Sequence, residues 1–120
     1  MSKQLNEIQR ELVDFALSLG DTLVLQDNPT YPSIFREPRI GKIDNRICGV
    51  EMLENSIKIH LPKNRAFRTY FQSKILWSNA FSDDSRNYTF LNFVDGSEKR
   101  MNAAKDLIKY AYKMIDTNTI

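Results

Sequence analysis

Ile57-Lys58-Ile59-His60-Leu61, closed by Pro62, is the stretch that most restricts what this chain can fold into. Its apolar and polar residues alternate with a period of two, so Ile57, Ile59 and Leu61 share one face of a strand and Lys58 and His60 the other. Proline lacks the N–H that would continue the ladder, so the strand ends there. A second run, Arg46 to Leu53, precedes it across Glu54-Asn55, and a third, Arg39 to Ile43, lies before Asp44-Asn45. Asparagine tolerates positive φ, which suits both pairs to tight turns. The expected product is a three-strand antiparallel meander. In its middle strand Cys48, Val50 and Met52 share a face and Glu51 lies on the opposite one.

Helices are expected at both ends. Leu5, Ile8, Leu12, Phe15, Ala16 and Leu19 recur at three- and four-residue steps, which predicts a helix over 3–19. Ser2 is its expected N-cap, and Gly20 stands where a left-handed C-terminal residue would end it. Met101, Ala104, Ile108, Ala111 and Ile115 make a second stripe, predicting a helix from Glu98 to Asp116 with Ser97 as N-cap. Lys105, Lys109 and Lys113 step by four along its solvated side.

Between these helices, Leu23 to Leu25 is a short strand and Asp27 to Pro32 a loop. Ser33 to Arg36 is extended, and Pro38 confines it to a sheet edge. Ser73 to Phe81 and Asn87 to Val94 are two further strands joined by a turn over Ser82 to Arg86. The reading is α+β: an antiparallel meander sheet of about five or six strands, with the N- and C-terminal helices packed on one face. Such a sheet leaves its other face to solvent or a partner.

At 120 residues the whole chain, 1–120, is read as a single domain. No apolar run approaches the roughly 18 residues that a membrane span needs. The first residues lack the apolar core of a signal peptide. With Cys48 as the only cysteine, an intrachain disulfide and a thiolate zinc cluster are excluded. A cytoplasmic location is expected.

Chemistry-bearing motifs are sparse. A single histidine, His60, excludes a histidine metal cluster and leaves one conventional general base. Cys48 with His60 would make a nucleophile and base, but Cys48 shares a face with Val50 and Met52, as a buried structural thiol does. No acid-x-Lys triplet of the kind that holds Mg²⁺ in restriction-type nucleases occurs. The four glycines are scattered, so there is no phosphate-cradling loop. The expectation is a protein that is not an enzyme and has no cofactor. A small enzyme built around His60 and Glu51 is the least favoured reading.

The positive signal is Asn55 to Ser82, which holds Lys58, Lys63, Arg65, Arg68 and Lys74 and no acidic residue. The middle third of the chain, residues 41–80, carries seven basic and three acidic groups. Phe67, Tyr70, Phe71, Trp77 and Phe81 are threaded among the cations. Cations interleaved with aromatics can hold a phosphate backbone and stack on bases. They can equally be the polar and buried faces of an ordinary sheet. On the first reading Lys63, Arg65, Arg68 and Lys74 contact phosphate, Tyr70 and Trp77 stack, and Lys58 and His60 extend the surface.

Ser56-Ile-Lys-Ile-His-Leu, together with the helix Ser97-Glu-Lys-Arg-Met-Asn-Ala-Ala-Lys-Asp-Leu-Ile-Lys-Tyr-Ala-Tyr, resembles a bacterial domain family of unknown function associated with predicted transport proteins and restriction systems. In that family a meander with an Ile-x-Ile-x-Leu strand is followed by two strands and a closing helix. The helix ends in Leu-Ile-x-x-Ala-Tyr, matched by Leu107, Ile108, Ala111 and Tyr112. The resemblance covers residues 40–115, and most matched positions are core positions. The chain departs from the pattern at Ser78-Asn79-Ala80-Phe81-Ser82, where a glycine pair is expected. The resemblance implies an association with nucleic-acid-processing or defence systems and carries over no catalytic residue.

The leading expectation is therefore a non-enzymatic nucleic-acid-binding or accessory module of a bacterial or phage defence-related system, contacting DNA or RNA through the backbone. The alternative is a small protein-interaction or inhibitor module that binds a partner protein through its exposed sheet face or edge. No membrane partner is expected; the oligomeric state stays open, with a homodimer allowed.

Overall fold

The structure is a computed structural model and describes residues 4–27, 31–37, 45–62, 69–70, 81–83, 89–93 and 97–116. The first helix, α1, spans Leu5–Leu17 and buries Ile8, Leu12, Val13 and Ala16. Each fully buried Ile or Leu contributes about 1.5–3 kcal/mol relative to an exposed one. Gln4 is the N-cap and contributes no side-chain cap; its carbonyl accepts from the N–H groups of Glu7 and Ile8. The helix thus starts two residues later than the predicted 3–19 span and ends two earlier, and Ser2 lies outside the described residues. Ser18 ends it in a right-handed conformation.

Six strands follow: β1 (Leu23–Asp27), β2 (Pro32–Arg36), β3 (Arg46–Met52), β4 (Ile57–Leu61), β5 (Phe81–Asp83) and β6 (Thr89–Phe93). The chain closes with a helix, α2 (Glu98–Asp116), in which Met101, Ala104, Leu107, Ile108, Ala111, Met114 and Ile115 are buried. Ser97 begins it, as its neighbours' N–H groups show: Arg100 donates to the Ser97 hydroxyl and Met101 to its carbonyl. The strand order is β1-β2-β3-β4-β6-β5, and every described pairing is antiparallel. The architecture is α+β, with a helix near each end.

Both helices lie against β3 and touch each other, so they share one face of the sheet. Ile34, Cys48, Val50, Ile57, Ile59, Leu61 and Leu91 are buried in the core that they cover. Three polar contacts pin the layers. Gln9 Nε2 donates to the Val50 carbonyl at 2.9 Å, beyond the last pairing of β2 with β3. Lys105 Nζ of α2 meets Glu11 Oε2 of α1 at 2.9 Å, and Arg36 Nε of β2 donates to Asp116 Oδ1 at 2.8 Å.

Several expectations are corrected. Ser33 to Arg36 belongs to an interior strand, because β2 pairs with β1 on one side and β3 on the other. Pro32 opens that strand, and a missing donor costs least at a ladder's first position. Asp27 and Pro32 are paired ends of β1 and β2 rather than loop. Ser82 and Asp83 lie in β5 rather than in a turn. The expected strand over Arg39 to Ile43 and most of that over Ser73 to Phe81 lie outside the described residues. The meander that the structure does describe is β1-β2-β3-β4.

The β2–β3 register carries a shift that matters for the opposite face. Ser33 pairs with Gly49 and Ile34 with Cys48, but Phe35 pairs with Arg46, so Ile47 has no opposite number. One extra residue in a strand reverses the side on which everything before it points. Arg46 would otherwise share the core face with Cys48 and Val50. The bulge turns it to the face without helices and leaves Ile47 wholly buried.

Candidate functional site on the helix-free face

The register places Ser33 of β2, Gly49 of β3 and His60 of β4 side by side across three neighbouring strands. All three lie on the face away from the helices, together with Glu51 and Lys58, which pair across β3 and β4. Tyr31, two residues before Ser33, lays its ring on the same row. It stacks on the His60 ring with centroids 4.4 Å apart and planes 3° from parallel. It also stands directly over Gly49, where an added Cβ would collide with the Tyr31 ring. Arg46 Nη1, aimed here by the bulge, donates to the Tyr31 hydroxyl oxygen at 3.1 Å.

His60 is held from below as well. Its Nε2 lies 2.9 Å from Glu51 Oε1, and its side chain is 12% exposed. Burial of the ring lowers its pKa from the ordinary 6.5; the Glu51 bond works the other way without reversing the shift, and the Arg46 charge adds to the lowering. The histidine is therefore neutral at pH 7, and its Nε2–H donates to the carboxylate. Ser33 is fully buried in the same row, and its hydroxyl has no hydrogen-bond partner among the described residues.

Of the residues expected to bind nucleic acid, Lys58 and His60 stand on this face. Tyr70 does not join them. It stacks on Tyr110 of α2 at 3.6 Å and donates to Asp106 Oδ2 at 2.9 Å. Desolvation, and then Asp106, push its phenol up to about 12. Lys63, Arg65, Arg68, Lys74 and Trp77 lie outside the described residues. In the lysine row, Lys109 and Lys113 are exposed, whereas Lys105 is tied to Glu11 and sits over the Phe15 ring.

Cys48 and His60 cannot act together, because Cys48 is on the core face with its thiol pushed up to about 12 by burial. Among the described residues no group of His, Cys, Asp and Glu is placed to hold a metal ion, and no helix is long and apolar enough to cross a membrane. Tyr31, Ser33, Arg46 and Gly49 escaped the sequence reading. Tyr31 sits between two prolines and reads as loop, and strict alternation sends Arg46 to the core. Comparison with protein-family models, with curated proteins and with solved structures returns no match.

Proposed function

We propose that this protein is a non-enzymatic module that binds single-stranded nucleic acid on the helix-free face of its sheet. It fits the accessory role in a defence-related system that the family resemblance implies. The observation that carries this reading is the stacked Tyr31–His60 pair flanked by two cationic side chains, Arg46 and Lys58. Aromatic rings on an open sheet face offer π surfaces to unstacked bases, and neighbouring cations hold the backbone. A neutral His60 suits this role, since a stacked base meets a flat ring without a buried charge.

The test is fluorescence anisotropy with a labelled oligo(dT) and a labelled duplex, at low and high salt. The oligo(dT) binds more tightly than the duplex, and added salt weakens it. Arg46→Ala and Lys58→Ala each lower the salt slope by roughly 0.7 if one phosphate contact is lost. Absence of salt-dependent binding would sink the proposal.

A second reading, a protein-interaction module, draws on β1. This strand ends the described sheet order, and its Val24 and Leu25 are 40% and 45% exposed. From Leu23 to Gln26 it lacks the lysine or proline with which edges usually discourage strand addition. This is the reading left standing if the oligonucleotides do not bind.

A further inference from the structure

On the open face the Tyr31 ring fills a slot that runs down to the sheet backbone. His60 forms one wall and stacks on it. Ser33 lies at the base, its hydroxyl 3.1 Å from where a Gly49 Cβ would stand. Gly49 is the floor, and only a residue without a side chain lets a ring descend so far. Arg46 stands at the mouth, on the hydroxyl end of the ring.

The fit of Tyr31 in this slot is incomplete in one respect. The Ser33 hydroxyl is buried beside Gly49, where the Cδ2–Cε2 edge of the Tyr31 ring comes down, and a phenyl edge can neither donate to it nor accept from it. Buried hydroxyls in folded proteins are nearly always satisfied, so an orphan at the foot of the slot points to an occupant with polar edges. A nucleobase has such edges on a flat π system of the same thickness as the phenol. It would keep the stack on His60, satisfy Ser33, and bring its phosphate toward the Arg46 guanidinium in place of the Tyr31 hydroxyl.

Resting on the single-strand reading above, we infer that Tyr31 is a plug occupying a base-binding slot formed by His60, Ser33 and Gly49, and that one nucleobase of the bound strand displaces it. The inference separates two roles that stacking alone does not. A platform residue gains a contact when the strand binds, whereas a plug loses its own. Removing a platform weakens binding; removing a plug strengthens it.

Calorimetric titration with adenosine 5′-monophosphate and with oligo(dT) tests this on the native protein, on Tyr31→Ala, and on Tyr31→Ala with Gly49→Ala. Tyr31→Ala tightens both ligands by roughly fivefold, the factor corresponding to one modest stacking contact no longer competing. Adding Gly49→Ala returns the affinity to the native level or below, because its Cβ raises the floor. Weaker binding by Tyr31→Ala, with oligo(dT) still bound by the native protein, overturns the plug and leaves the single-strand reading intact. Failure of native protein and Tyr31→Ala alike to bind either ligand overturns both. A readout free of substitutions comes from nuclear magnetic resonance. On saturation with oligo(dT) the Tyr31 ring resonances move to solvent-exposed positions. Their retention of the stacked shift would overturn the displacement.

Discussion

The Nε2 of His60 lies 2.9 Å from Glu51 Oε1, yet this carboxylate does not hold the histidine in its charged form. Burial of the ring, reinforced by Arg46 and Lys58, outweighs it. The folded protein therefore takes up the proton at a lower pH than the unfolded chain does.

A stability change with pH follows from that difference. Between the lowered folded value and the ordinary 6.5, the unfolded chain binds a proton that folded His60 refuses. Stability from this group is therefore complete above 6.5, falls as the pH drops through that value, and levels off below the folded pKa. Urea midpoints measured on either side of 6.5 should show this decline in the native protein and a flatter profile in His60→Asn. A native profile that rises on acidification through this window would contradict it.

Gly20 follows α1 with no left-handed backbone turn to make, and what requires a glycine there is Tyr112 of α2. An added Cβ would collide with the Tyr112 hydroxyl and stand 2.9 Å from its Cζ. Gly20→Ala should cost about 1–3 kcal/mol, the usual range for overpacking. Tyr112→Phe removes the nearest colliding atom, so it should recover part of that loss in a double-mutant cycle. An equal cost of Gly20→Ala with and without the Tyr112→Phe change would show that the contact is not the cause.

Cys48 is fully buried, with its thiol pushed up to about 12. The thiolate is the reactive form, so Cys48 should resist a disulfide reagent at mild alkaline pH until denaturant is added. Cys48→Ser would bury a hydroxyl among apolar side chains at a cost of about 1–3 kcal/mol. Rapid labelling of the native protein would show that the β3 core opens more readily than its packing implies.

Most of the architecture was legible because each element carries a period. Ile57, Ile59 and Leu61 alternate, and Met101, Ala104, Ile108 and Ala111 step by three and four; burial in the structure follows both patterns. The interior placement of β2 was not legible, since Pro32 reads as loop and Pro38 as an edge signal while the pairing partners lie elsewhere in the chain. The candidate site was legible only at Lys58, His60 and Glu51, the last placed on the open face by strand alternation. Its other members depend on register: Ser33 and Gly49 meet His60 only after three strands align, and Arg46 joins them only through an unpaired residue. Nothing local in Arg46-Ile47-Cys48 marks that residue as extra, because bulges are set by pairing and not by composition.

Ile47 thereby works as a punctuation mark within β3. From Cys48 onward the strand is spelled in the phase of the core; before Ile47 it is spelled in the phase of the open face. The two halves can vary under separate constraints, one answering to the helices and the other to whatever the open face meets. Closing the bulge with every residue kept, so that Ile47 took a partner of its own, would erase that independence and send a guanidinium into the hydrocarbon layer beneath α1 and α2.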